Sequence, residues 1–267
     1  MRLIRYLAQE GDVRYAAEHS DGRCFDIHGD IFEQFEVTDR EASMVKLLAP
    51  IEPRIFLCIG LNYRRHAEET GAKIPERPVL FIKGANAVQN PGDPIVLPTR
   101  LPSHEVDYEC ELAVVISKRC KNVSKQDALN YVLGYAAAND VSARDWQKKF
   151  GGGQWCRGKG FDTFAPLGPA IITKDEIPNP NALAIATRVN GETRQSSNTS
   201  DMIFDVPTLI EFLSGSTTLL PGTVILTGTP HGVGMAMNPP HYLAAGDIVE
   251  IEIEKIGVLS NPVEAEE

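Results

Sequence analysis

Glu105-Val106-Asp107-Tyr108-Glu109-Cys110-Glu111-Leu112-Ala113-Val114-Val115 alternates acidic with apolar residues and then runs into unbroken apolar sequence up to Ile116. Successive side chains of a strand point to opposite faces, so this spacing predicts a strand over 106–116. Val106, Tyr108, Cys110 and Leu112 then share one face, and Glu105, Asp107, Glu109 and Glu111 the other. Like charges two residues apart repel, and the cost rises steeply where the strand enters low dielectric. The apolar run from Leu112 marks that interior, so Glu111 lies close to it. Glu105 and Asp107 suit a solvated edge strand; Glu111 does not. Two readings stay open at this point: an edge strand decorated with acids, or Glu109 and Glu111 as oxygen ligands of a hard divalent cation.

Downstream, the apolar strand predicted over 133–139 meets a helix predicted over 141–149. Asp140 falls at the junction. If the helix runs on, Asp140, Arg144 and Gln147 form one stripe at i, i+4 and i+7. That stripe suits a metal ligand beside donors for a carboxylate; it equally suits an N-cap aspartate with an ordinary ion pair. Upstream, a short helix is predicted over 62–70, with Asn62 as cap and Gly71 as stop. His66 and Glu69 stand three apart on it, so Glu69 can orient His66 as a general base. The alternative is a charged surface helix with Arg64, Arg65 and Glu68. Lys159 sits between Gly158 and Gly160, which let backbone approach a ligand closely. Thr227-Gly228-Thr229-Pro230-His231-Gly232-Val233-Gly234 follows an apolar strand and offers backbone N–H groups and a hydroxyl to an anion. No H-E-x-x-H, Walker or G-x-S-x-G pattern occurs.

The 267 residues are 43% hydrophobic, ample for a core, and carry a net charge of −10, which argues against nucleic acid as a partner. No apolar run approaches the roughly 20 residues of a membrane helix. The opening Met-Arg-Leu-Ile-Arg-Tyr is soon followed by acids, so no membrane association is expected, and the location is expected to be cytoplasmic unless a targeting segment lies outside this sequence. Five cysteines without a C-x-x-C pair point to neither a disulfide framework nor a thiolate zinc site. Residues 1–50 read as a small N-terminal β domain, Ala49 to Pro53 as a linker, and 55–267 as a second, mixed domain. Strands do not alternate regularly with long helices, so the class is α+β rather than Rossmann or TIM.

These segments together resemble the fumarylacetoacetate hydrolase superfamily. The matching pieces are Gly60-Leu61-Asn62-Tyr63 with His66 and Glu69, Pro78-Val79-Leu80-Phe81, and Asp107 to Ala113. They continue with Asp140 to Gln147, Lys159 to Pro169, Val189-Asn190-Gly191-Glu192, Ser197 to Phe204, and Leu226 to Gly234. Asp140 to Gln147 and Gln195 to Thr199 look closest to the family's domain-containing protein 2 branch. The resemblance implies a mixed β-sandwich roll, commonly a homodimer, with Mg²⁺ (or Mn²⁺ or Ca²⁺) held by Glu109, Glu111 and Asp140. It implies a lid dyad of His66 and Glu69, a catalytic Lys159, and substrate contacts from Arg144, Gln147 and Thr229. The implied substrate is a small 2-oxo or enol carboxylate. The reaction runs through a metal-stabilised enolate: acylpyruvate hydrolysis, oxaloacetate decarboxylation or oxaloacetate tautomerisation. The parental hydrolase has a further metal-binding Asp with no counterpart here, which counts against fumarylacetoacetate itself. The competing expectation is a non-catalytic metal or 2-oxo-acid binder, which would need no general base.

Overall fold

The computed structural model describes residues 1–267. Its centre is the strand Cys110–Ile116, buried along its whole length. Alternate residues serve two cores: Leu112, Val114 and Ile116 join one cluster, while Ala113 and Val115 join the other. A strand packed on both faces needs continuous apolar sequence, as this one has. It pairs antiparallel with Val132–Asn139 and with Thr223–Leu226. Thr223–Leu226 pairs parallel with Ile55–Gly60, and Val79–Lys83 closes that edge.

On the other side the sheet continues through Ala165–Thr173 to the N-terminal strands. Residues 1–50 form five strands, Arg2–Ala8, Val13–Glu18, Cys24–Gly29, Phe35–Glu41 and Met44–Leu48. Arg2 and Leu3 pair with Ile172 and Ile171, so these strands extend the main twelve-stranded sheet rather than form a sheet of their own.

A second sheet of five strands holds Ala184–Val189, Glu192–Asn198, Ile248–Ile253, Gly257–Ala265 and Ile95–Leu97. Ile185, Val249, Ile251 and Leu259 from it pack with Leu112, Val114 and Tyr135 of the main sheet. Two sheets facing across one apolar layer are a sandwich. Helices are few and short. The longest, Val206–Ser214, starts where Asp205 accepts a hydrogen bond from Thr208 N at 2.9 Å. The expected mixed β-sandwich roll of the α+β class is what the chain forms.

Three local expectations need correction. The strand 106–116 is broken: Val106–Asp107 pairs with Ser142–Ala143, Cys110 pairs with Asn139, and Tyr108–Glu109 lies between. Asn62 is not a helix cap. The helix is Arg64–Glu69, capped at Tyr63 without a side-chain bond, and the Asn62 amide instead donates to Phe204 O and Thr227 O at 3.0 and 2.7 Å. Residues 141–149 are not one helix, because the Ser142–Ala143 bridge intervenes and a π-helical turn spans only Trp146–Phe150. Pairing with strand 106–107 outcompetes local helix propensity here.

Candidate active site

The strand break creates the site. Freed from the ladder, Glu109 donates its backbone N–H to Asn139 Oδ1 at 3.0 Å, and its carbonyl accepts from Asp140 N at 2.9 Å. The ends of two neighbouring strands thus carry Glu109, Glu111 and Asp140 into one place. All are buried, and an oxygen from each lies within 4.8 Å of the others.

Cations close the cluster. Lys159 Nζ donates to Glu109 Oε2 and Asp140 Oδ2, both at 2.7 Å, and sits 4.9 Å from the centre of the Phe81 ring. Arg144 Nη1 contacts Glu109 Oε1 at 2.6 Å and donates to Gln147 Oε1 at 3.1 Å. Arg144 and Gln147 therefore do meet, but Asp140 pairs with lysines and not with Arg144. Burial works against the Glu109 charge, yet Lys159 and Arg144 overcome it and hold its carboxyl well below the usual range. Glu111 has less help. Burial, then Asp140 and Glu109, push its carboxyl well above the usual range, against the Lys159 charge and a Gly228 N–H bond at 2.7 Å.

That imbalance fits a divalent cation. Asp107, Glu109, Glu111 and Asp140 are four buried carboxylates, set against three buried cations, Lys83, Arg144 and Lys159. Hard oxygen donors converging with a net negative charge are the donor set such an ion takes. With the ion in place the cluster would turn positive and suit an anionic substrate.

Two of these residues escaped the sequence reading. Asp107 is fully buried, not a solvated edge acid. Its carboxylate accepts from Arg144 Nε at 2.9 Å and from the backbone of Tyr108, Gly234 and Met235 at 2.8–3.0 Å. Lys83 ends the edge strand, donates to Val141 O at 3.0 Å and to Phe164 O, and lies 2.5 Å from Asp140 Oδ1. Its only signal was a lysine closing an apolar strand.

His66 and Glu69 are brought together as expected, with Nδ1 2.7 Å from Oε1, while His66 Nε2 has no protein partner. Glu69 Oε2 also accepts from Gly232 N at 2.9 Å. The glycine loop does donate its N–H groups to anions, but these are the protein's own: Glu111, Glu69 and Asp107. Thr229 is buried and its hydroxyl accepts from Gln195 Nε2 at 2.9 Å. Gln195 is fully buried and also binds Cys110 N, so it ties Thr229 to the acidic strand.

His66, Glu109, Glu111, Arg144, Lys159 and Thr229 all line one cavity of about 210 Å³. A larger open cleft of about 1090 Å³ lies beside Arg5, Glu52 and Lys118, but no buried acidic set reaches it.

Residues 55–264 match the family described as Fumarylacetoacetate (FAA) hydrolase C-terminal. The chain belongs to this family. Residues 1–50 match a second description, Rv2993c-like, N-terminal. An oxaloacetate tautomerase of Xenopus laevis is 51% identical over 222 residues, covering 83% of this chain and 69% of the frog protein. A 5-carboxymethyl-2-hydroxymuconate delta-isomerase from Mycobacterium smegmatis superposes with a TM-score of 0.87 at 41% identity, over 100% of both chains. A fumarylacetoacetate hydrolase from Exiguobacterium antarcticum gives 0.88 at 38%, also over 100% of both. As a fumarylacetoacetate hydrolase family member, the chain is an enzyme of metal-dependent enolate chemistry on small 2-oxo or enol carboxylates.

The cytoplasmic expectation is corrected by these relatives, since the frog, cattle and human proteins are labelled mitochondrial. A compartment address is read by receptors from its own segment, so the charge and hydropathy of a catalytic domain do not carry it. No helix is long and apolar enough to cross a membrane.

Proposed function

We propose that this enzyme interconverts the keto and enol forms of oxaloacetate. The observation that carries the reading is the His66–Glu69 pair, with Nδ1 held at 2.7 Å and Nε2 free, in the same cavity as the carboxylate cluster. Tautomerisation needs one positioned base, no leaving group and no water, and this cavity offers one such base. The frog relative at 51% identity is named for this activity.

Mg²⁺ at Glu109, Glu111 and Asp140 is the proposed cofactor, with Mn²⁺ or Ca²⁺ able to use the same oxygens. When bound, it supplies Lewis-acid polarisation of the 2-oxo oxygen. Arg144 and Gln147 orient the substrate carboxylate, and Thr229 borders it. His66 Nε2 takes a proton from C3. The C3–H pair becomes the C2–C3 double bond, and charge moves onto the C2 oxygen. Lys159 places its ammonium beside that charge. Return of the proton to oxygen gives the enol, and the reverse path gives the ketone. Glu69 keeps the imidazole in one orientation throughout. The active unit is proposed to be a homodimer.

The test follows enol decay by ultraviolet absorbance and pyruvate by a coupled assay in one sample, using the Mg²⁺-loaded enzyme. Tautomer exchange without pyruvate is expected. Pyruvate appearing as fast as enol is consumed would make the enzyme a decarboxylase instead.

A further inference from the structure

Three cations line the cavity, Arg144, Lys148 and Lys159. Arg144 contacts Asp107 and Glu109, and Lys159 contacts Glu109 and Asp140. The neighbouring Lys149 points elsewhere and binds Glu105 at 2.5 Å. Lys148 alone among the cavity cations has no carboxylate partner. It is exposed, on the Trp146–Phe150 turn, so its ammonium stands at the mouth while Arg144 and Lys159 stand at the floor. Partial burial and then the Arg144 charge lower its pKa, and they outweigh the more distant Asp107, Glu105 and Glu109, none of which pairs with it. The remaining walls towards the mouth include Trp155, Met235 and Ala72, which offer a substrate tail apolar contact and no charge.

We infer that Lys148 is a specificity-determining residue, whose free ammonium takes the distal carboxylate of a 2-oxo dicarboxylate seated in the cavity. The inference rests on the oxaloacetate reading above. The 2-oxo carboxylate end is held at the floor by Arg144 and Gln147, so the far end of a four-carbon diacid extends towards the mouth. A monocarboxylate of the same length would place a methyl group beside Lys148. Because the lysine is exposed, its ion pair is worth only a modest factor, roughly three- to tenfold in affinity.

The experiment measures calorimetric dissociation constants of oxaloacetate and 2-oxobutyrate, which differ only by that carboxylate, on the full Mg²⁺-loaded protein. Wild type is expected to favour oxaloacetate. Lys148→Met should reduce the preference by roughly three- to tenfold, Lys148→Glu should reduce it further, and Lys148→Arg should restore it. Lys149→Met, a charge change outside the cavity, should leave the ratio alone. An unchanged ratio in Lys148→Met, with wild type binding both acids, overturns the role of Lys148 and leaves the oxaloacetate reading standing. Wild type binding neither acid overturns both.

Discussion

Arg144 presents Nε and Nη2 to a single oxygen of Asp107, Oδ2, at 2.9 and 2.8 Å, and both side chains are buried. The guanidinium that faces the cavity is therefore positioned from behind. Its remaining nitrogen, Nη1, is the one turned to Glu109 and Gln147. Burial disfavours the Arg144 charge, but Glu109 and Asp107 together raise its pKa further still, so it stays a cation at any working pH.

Asp107→Asn tests that support. The change keeps the size but removes a buried charge that also anchors the Gly234 and Met235 N–H groups. Breaking a buried ion pair from one side costs about 3–5 kcal/mol. Urea unfolding of the variant should show a midpoint lowered to match. KM for oxaloacetate should rise, because Arg144 is no longer held. A variant as stable as wild type would mean the pair is dispensable for the fold.

Metal binding and proton transfer should separate cleanly by mutation. Glu111→Gln removes a ligand but also a charge that burial and two carboxylates already disfavour. Without metal, its melting temperature should stay near wild type. The rise on adding Mg²⁺ at about 100 times Kd, worth about 2.7 kcal/mol in wild type, should disappear. His66→Ala should keep that rise and lose roughly 10²–10⁴-fold in turnover. Differential scanning fluorimetry with and without chelator, beside the enol assay, checks both. A full Mg²⁺ response in Glu111→Gln would remove Glu111 from the metal site.

These contrasts show where the sequence was readable. The apolar run Leu112–Ile116 and the acids before it located both the central strand and two metal-ligand candidates, because period-two alternation is a local property. His66 and Glu69 were legible for the same reason, three apart on one helical turn. Asp107 was misplaced because it stands outside the apolar run, whereas the chain buries it just before the ladder changes partner from Ser142 to Asn139. Nothing local announces that change; it is set by which strand lies alongside. The 141–149 segment failed likewise, since the Ser142–Ala143 bridge is a tertiary contact. Lys83 was invisible because its partners, Val141, Phe164 and Asp140, are more than fifty residues away.

Lys83 supplies the last prediction. It is fully buried, and burial lowers its pKa while Asp140 works to raise it. Two roles are open to it: satisfying the Val141 and Phe164 carbonyls, or balancing the Asp140 charge. Lys83→Met fills similar volume and removes both functions. Leaving buried acceptors unpaired costs about 1–3 kcal/mol each, so the single variant loses stability under either role and cannot distinguish them. Asp140→Asn, alone and combined with Lys83→Met, does. If Lys83 serves only the carbonyls, the two losses add. If it balances Asp140, neutralising Asp140 removes much of the penalty, and the double variant should be more stable than the sum by about 1–3 kcal/mol. Charge balance also predicts that Mg²⁺ raises the melting temperature of Lys83→Met more than that of wild type, since the ion replaces the missing positive charge beside Asp140. Chemical denaturation of the four proteins, with and without Mg²⁺, reads both effects. Additive losses together with an unchanged Mg²⁺ response would make Lys83 a support for the backbone and nothing more.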